Sequence, residues 1–214
     1  MKATFIFGFL IGFIGLLLGA YFVPWTVNER VASIAGVAMN GGRQETFIIR
    51  LPADRIVSVG GTAAEPLATD PIARIEPVAD LASAAFAAEQ FKVRNLDGVV
   101  IGVGTRHWVA ADGSAASTWA VSVPSRGTIV FAGEGNTPAR LRDALTRAGY
   151  RQGSEWTGEI SFDVADESPR VVTGTEEFGR AAGRFMETWT ITGVTSEGEL
   201  RGTITLDTIV NQSS

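Results

Sequence analysis

The chain contains no cysteine. That excludes disulfides, thiolate metal sites, Cys-attached haem and a lipid carried on an N-terminal cysteine. A folded extracytoplasmic domain without disulfides suits a bacterial periplasm. Histidine is nearly as scarce: His107 stands alone, so His-rich metal sites are excluded as well. Positive charge is also in short supply. Eighteen Lys and Arg face 23 Asp and Glu, a formal net charge of −5, which argues against a nucleic-acid binder because phosphates need a basic patch. The loop Gly133-Glu134-Gly135 lacks the Lys-Ser/Thr of a phosphate-binding loop, and no cofactor is implied.

What is present begins with a membrane signal. No charged residue occurs from Ala3 to Asn28, and Phe5 to Val23 is almost wholly apolar. At about 1.5 Å per residue, roughly 20 residues cross a hydrocarbon core of about 30 Å. A cleaved signal peptide is the rival reading. Its apolar region is usually shorter, roughly 7–15 residues, and ends in a small-x-small site. The nearest candidate, Leu18-Gly19-Ala20, has leucine at the first small position. We therefore expect a retained single-pass anchor over residues 1–27. Tyr21 and Trp25 sit where interfacial aromatics belong, and Pro24 suits a helix end. Lys2 and the N-terminal amine favour a cytoplasmic N-terminus in a bacterial inner membrane, with the remainder in the periplasm.

The glycines of this segment, Gly8, Gly12, Gly15 and Gly19, are spaced 4, 3 and 4 and fall on one helical stripe. Two of these steps are GxxxG, which lets a second helix approach closely. The opposite face carries Phe5, Phe9, Leu10, Phe13, Leu16 and Leu17, suited to lipid. The bland alternative is that glycine is simply frequent in membrane helices. A helix partner is expected, either other transmembrane helices of a complex or a second copy.

Beyond the anchor, 45% hydrophobic residues and the remaining length suffice for one folded domain. Residues 28–90 read as a juxtamembrane stretch, two strands (Glu45 to Leu51, Arg55 to Val59) and an irregular connection punctuated by Pro66, Pro71 and Pro77. The Ala-rich stretch Val78 to Phe91 suggests a short helix with Leu81, Ala84, Ala85 and Ala88 on its buried face. Residues 91–214 alternate short β-type runs with turns at Asp97-Gly98, Asp112-Gly113, Ser125-Arg126-Gly127 and Glu197-Gly198. One helix interrupts the series: Thr137 is a good N-cap, Pro138 fits the first turn and Gly149 closes it. In the final strand Leu200, Gly202, Ile204, Leu206, Thr208 and Val210 share one face, the signature of a strand buried on one side. The expected fold class is mainly β: a transmembrane helix, then an antiparallel β-barrel with one or two short helices.

Gly174, Phe178 and Gly183 frame a G-x-x-x-F-x-x-x-x-G pattern ahead of a Thr-rich strand and a closing Gly-Thr-Ile-Thr-Leu strand. This stretch of about 40 residues resembles the segment before a late strand in allene oxide cyclase-like and dirigent-like barrels, which belong to the calycin-like type. The resemblance implies an eight-stranded antiparallel barrel with an apolar interior. None of the family's catalytic residues maps onto this chain, so it carries no activity over.

Candidate chemistry is sparse. His107, beside Trp108, is a residue type suited to proton transfer near neutral pH, but neither a G-x-S-x-G elbow nor a cysteine supplies a nucleophile. A packed or surface histidine is the stronger interpretation. Asp163, Asp166 and Glu167 lack calcium-loop spacing and read as a solvated turn, so no metal is expected. Glu176 and Glu177, next to Arg180, read as surface charge. Trp108, Trp119, Trp156 and Trp189 fall in predicted strands and, with His107, either line a pocket for a small apolar ligand or fill the core. Pro124-Ser125-Arg126-Gly127 is either a recognition loop or an ordinary turn. Two functions remain open: a non-catalytic accessory subunit of a membrane complex, or an anchored barrel that binds or isomerises a lipid, quinone or pigment.

Overall fold

The computed structural model describes residues 12–16, 34–37, 43–62, 66–67, 85–111, 114–134, 137–151, 153–164 and 170–212. The chain divides into two units, Met1–Arg30 and Val31–Ser214. In the first, residues 12–16 are helical. A Cβ added to Gly12 or Gly15 would meet nothing within 4 Å, and Phe13, Ile14 and Leu16 are exposed. The rest of the expected span, with Gly8, Gly19, Tyr21 and Trp25, lies outside the described residues. Among the described residues no helix is long and apolar enough to cross a membrane.

The second unit is built from strands β1 (Ile34–Val37), β2 (Arg43–Leu51), β3 (Arg55–Thr62), β4 (Pro66–Leu67), β5 (Ala85–Arg94), β6 (Val100–Ala111), β7 (Ser114–Val123), β8 (Gly127–Glu134), β9 (Trp156–Asp163), β10 (Arg170–Gly174), β11 (Ala181–Val194) and β12 (Leu200–Gln212). A helix spans Thr137–Arg147, and a 3-10 turn spans Glu176–Phe178.

The pairings explain how these segments make a barrel of eight staves. β2 and β3 lie end to end along one edge of β5, pairing at Ile48↔Arg94 and then from Arg55↔Phe91 to Thr62↔Ala85. β9 and β10 do the same along β11, from Trp156↔Val194 to Val171↔Gly183. Each couple acts as one bent strand. Every stave then runs antiparallel to its neighbour in the chain, from β5 through β6, β7, β8 and β10 to β11 and β12. The last stave returns to the first, β12 pairing with β2 from Gly202↔Leu51 to Val210↔Arg43. Such closure removes the unpaired edges that invite aggregation.

Asp54, fully buried in the turn between β2 and β3, pins the bend. Its carboxylate accepts from Arg94 Nε (2.8 Å), Arg94 Nη2 (2.7 Å) and the Arg50 amide (2.8 Å), while its carbonyl accepts the Lys92 amide. Burial works against the Asp54 charge, yet the Arg94 and Arg50 hydrogen bonds and nearby positive charge outweigh it, holding this carboxyl below its ordinary range.

Inward positions follow the two-residue period of strands. Phe47, Ile49 and Leu51 of β2, Phe91 and Val93 of β5, Trp119 and Val121 of β7, Ile129 and Phe131 of β8, Trp189 and Ile191 of β11, and Ile204 and Leu206 of β12 form one core. Rings meet within it, Phe131 on Phe185 at 5.0 Å and Phe91 on Trp119 at 5.7 Å between centroids. Each buried ring contributes about 2–3 kcal/mol. The helix contacts β9; its Leu141 and Leu145 join the core, against which Tyr150, Trp156, Ile160 and Phe162 also pack. Gly149 ends it at φ +87°, as its sequence position predicts.

Two expectations are corrected. The Ala-rich stretch is not a helix in its described part: residues 85–94 form β5. Alanine favours helices locally, but β5 is flanked by β3 and β6, and ladder pairing on both sides overrides that preference. Leu81 and Ala84 lie outside the described residues. The interior is also not purely apolar, because Glu45, Glu89, Arg106, Arg126 and Glu187 are buried within it or at its mouth.

Candidate functional site

The buried charges form two clusters, each centred on an arginine. The first lies within the barrel. Arg106 on β6 donates from Nε (3.0 Å) and Nη2 to Glu89 Oε2 on β5, and from Nη1 to Glu187 Oε1 on β11 at 3.0 Å. Glu187 also accepts both indoles, Trp189 Nε1 at 2.8 Å and Trp119 Nε1 at 2.9 Å. The guanidinium lies 4.9 Å from the Trp189 ring, 5.1 Å from Trp119 and 5.9 Å from Phe91, distances at which cation–π attraction operates. Arg55, at the start of β3, approaches Glu89 Oε1 at 3.7 Å. A buried arginine is thus matched to two carboxylates whose lone pairs are largely taken. Glu89 Oε1 and Ser117 Oγ are buried without a hydrogen bond.

The second cluster sits at the mouth where β7 turns into β8. Arg126 donates from Nη2 to Glu45 Oε1 (2.7 Å) and Glu177 Oε1 (3.0 Å), and its guanidinium lies 4.9 Å from the buried Phe178 ring. Arg43 adds a second cation on Glu177. Burial opposes the charge on Arg126, but the hydrogen bonds it donates to Glu45 and Glu177, with their negative charge, raise its pKa above the usual arginine value. Glu177 is therefore not simple surface charge, as its sequence neighbours suggest.

The turn geometry around this mouth is specific. Gly127 (φ +108°) packs so closely on the carbonyl of Thr175 that a Cβ would clash, and Gly174 packs likewise on Phe178. The Gly174–Phe178 spacing thus reflects the Gly174 backbone meeting the carbonyl and Cβ of Phe178. Two non-glycine residues take left-handed backbone here, Ser125 at φ +69° and Glu176 at φ +51°. For an L-residue that conformation costs about 1–2 kcal/mol. Both line an open pocket of about 520 Å³, with Gly102, Val103, Ser122, Val123, Pro124, Arg126, Gly127 and Thr128.

The structure brings together only some of the residues singled out by sequence. Trp119 and Trp189 meet inside the barrel on Glu187. Trp156 is half-buried elsewhere, its indole donating to the Ala148 carbonyl at 3.2 Å. His107 is exposed on β6, on the face opposite Arg106. Trp108 follows in the same strand, its side chain outside the described residues. Asp163 accepts the Thr188 hydroxyl at 2.7 Å, while Asp166 and Glu167 lie outside the described residues. No group of three or more candidate metal ligands occurs among the described residues.

Sequence reasoning missed the inward charges, but a signal exists. Glu45 shares parity with Phe47, Ile49 and Leu51, Glu89 with Phe91 and Val93, and Glu187 with Phe185, Trp189 and Ile191. A charge in step with an apolar face marks a buried ion pair.

No family model matches the chain, and no curated protein matches it. Among solved structures it is similar to a pterocarpan synthase dirigent protein, at 10% identity and a TM-score of 0.43, covering 89% of this chain and 99% of that one.

Proposed function

We propose that this protein is a non-catalytic accessory subunit, anchored by residues 1–27 in a bacterial inner membrane, whose barrel braces or caps the periplasmic side of a larger complex. A respiratory or photosynthetic complex fits such a location. One observation supports this most: the central arginine, one of its glutamates and both buried indoles inside the barrel are bonded to each other. Arg106, Glu187, Trp119 and Trp189 satisfy one another in a ring-packed core, which suits a rigid module. The glycine stripe supplies the means of association, since Gly12 and Gly15 lie on helical backbone with open space beside them.

The test is the pair of substitutions Gly12→Leu and Gly15→Leu in the full chain. Release of the protein from its complex on a native gel is expected, with the barrel still folded. Unchanged co-migration would refute helix packing as the mode of association.

A second reading, an anchored barrel that binds a small apolar ligand, is favoured by the open pocket at the barrel mouth. There the ligand would sit beside Val103 and Pro124 rather than among the tryptophans. Native mass spectrometry of the detergent-extracted protein checks it. A retained small-molecule mass lost on Val103→Asp supports it, and a consistently empty protein counts against it.

A further inference from the structure

Single exposed aliphatics are ordinary on a protein surface, but a group of them on one turn is not. Leu96, Val99 and Val100 share the turn from β5 to β6, at 57%, 50% and 45% exposure. The turn that displays them is well braced. Asn95 is buried; its Oδ1 accepts the Val99 amide at 2.9 Å and its carbonyl accepts the Gly98 amide at 3.0 Å. Gly98 takes φ +79°, and its carbonyl accepts Arg94 Nη1 at 2.7 Å while the other Arg94 nitrogens hold Asp54. The apolar side chains are thus presented by an ordered backbone, and binding there need not first order the turn.

The same turn lies beside the place where the chain enters the barrel. One edge of β2 is covered by β12; the other takes β1 at Ile34↔Glu45 and β5 at Ile48↔Arg94. Those two pairings are three residues apart on β2, about 10 Å at the rise of a strand. β1 therefore neighbours the end of β5, where the turn begins. Residues 28–33 link the expected anchor to β1, and fully extended that link reaches about 25 Å. A bilayer that holds the anchor is the apolar phase within such a reach. Cations flank the turn as well. Lys92 is exposed opposite Val103, and exposed Arg50 has its guanidinium against Gly98. Aliphatic tips between lysine and arginine suit a headgroup layer, where stems cover hydrocarbon and charged heads reach phosphates. Asp97, exposed between Leu96 and Gly98, keeps the tip at headgroup depth, since a carboxylate is not carried into hydrocarbon.

From this braced apolar turn beside the entry of the chain, we infer that the β5–β6 turn rests in the lipid surface of the bilayer that holds the anchor. Leu96, Val99 and Val100 lie just below the headgroups, and Lys92 and Arg50 meet lipid phosphates. The occupant of this surface is lipid, not a partner protein. The inference rests on the anchor of the accessory-subunit reading and adds a second membrane contact. With two contacts the barrel cannot swivel freely on its link, so one end is presented to the rest of a complex.

The absence of cysteine allows single labels to be placed at will. Leu96→Cys, Val99→Cys, Ser196→Cys and Leu16→Cys, each in the full chain and each carrying a bimane, are reconstituted in vesicles of phosphatidylethanolamine and phosphatidylglycerol. Lipids with a nitroxide just below the headgroup should remove about half of the fluorescence at the Leu96 and Val99 sites. Little should be lost at Ser196, which lies in the β11–β12 turn at the other end of the barrel. Adding Leu96→Asp to the Val99→Cys chain should abolish its quenching and leave the melting temperature unchanged, because Leu96 is exposed. Quenching at Leu96 and Val99 no greater than at Ser196 overturns the inference, whether those labels stand in water or are shielded by protein. The label at Leu16 reads the anchor separately, through nitroxides placed deep in the acyl chains. If it is quenched and those at Leu96 and Val99 are not, the anchor stands and this contact fails. If none is quenched, the anchor reading fails with it.

Discussion

The two arginine clusters use the same ingredients and reach different ends. Arg106 and Arg126 are both buried, and each faces two glutamates. Around Arg106 the next layer is aromatic: Trp119, Trp189 and Phe91 surround the guanidinium, and both indoles bond to Glu187. Beside Arg126 lies the Phe178 ring, and next to it a turn that opens on a pocket. The first cluster is closed upon itself and fixes how β5, β6, β7 and β11 meet. The second ties the mouth together beside an open pocket. Identical charge pairing therefore builds a core in one place and a rim in the other, and the surrounding packing decides which.

The sharpest way to break this comparison is to remove each arginine in turn. Arg106→Met strands Glu89 and Glu187 in a ring-packed interior and should cost about 3–5 kcal/mol, read as a lower denaturation midpoint. Arg126→Met should cost less, about 2–3 kcal/mol, because Arg43 still faces Glu177 and that carboxylate is partly exposed. Equal losses would mean that the aromatic layer contributes nothing to the difference.

Asp54→Asn tests the staple at the barrel seam. Its partner Arg94 is partly exposed, so about 2 kcal/mol is expected. The pH dependence follows from the lowered Asp54 pKa. A depressed carboxyl contributes its stability above the unfolded-state value near 3.8 and loses it as pH falls through the lower folded value. The gap between wild type and Asp54→Asn should be constant near neutral pH and close only below that range. A gap that shrinks between pH 7 and 5 would implicate another group. Smallest of the set, Trp189→Phe keeps most of the ring packing and removes one indole donor from Glu187, for about 1–1.5 kcal/mol.

Much of the barrel was legible in the sequence, and the reasons are local. β12 alternates cleanly, its turn at Glu197-Gly198 has Gly198 at φ +85°, and the hairpins at Asp97-Gly98 and Ser125-Gly127 pair as their turn residues predict. The helix at Thr137–Arg147 followed from its cap residues and its Leu141–Leu145 stripe. What stayed hidden depends on contacts distant in sequence. β5 reads as helix because alanine dominates its first half; only pairing with β3 and β6 makes it a strand. Arg106 carries no local sign of burial; its partner Glu187 lies 81 residues away. Glu176 and Glu177 are adjacent in sequence, yet one joins the Arg126 cluster and the other lines the pocket wall. No residue-level preference separates them.

Gentle detergent extraction from the native membrane, followed by a native gel and mass spectrometry of what travels with the chain, tests the accessory role most directly. Stoichiometric co-migration with a larger membrane complex is the predicted result. Migration alone, as a small particle, would contradict it.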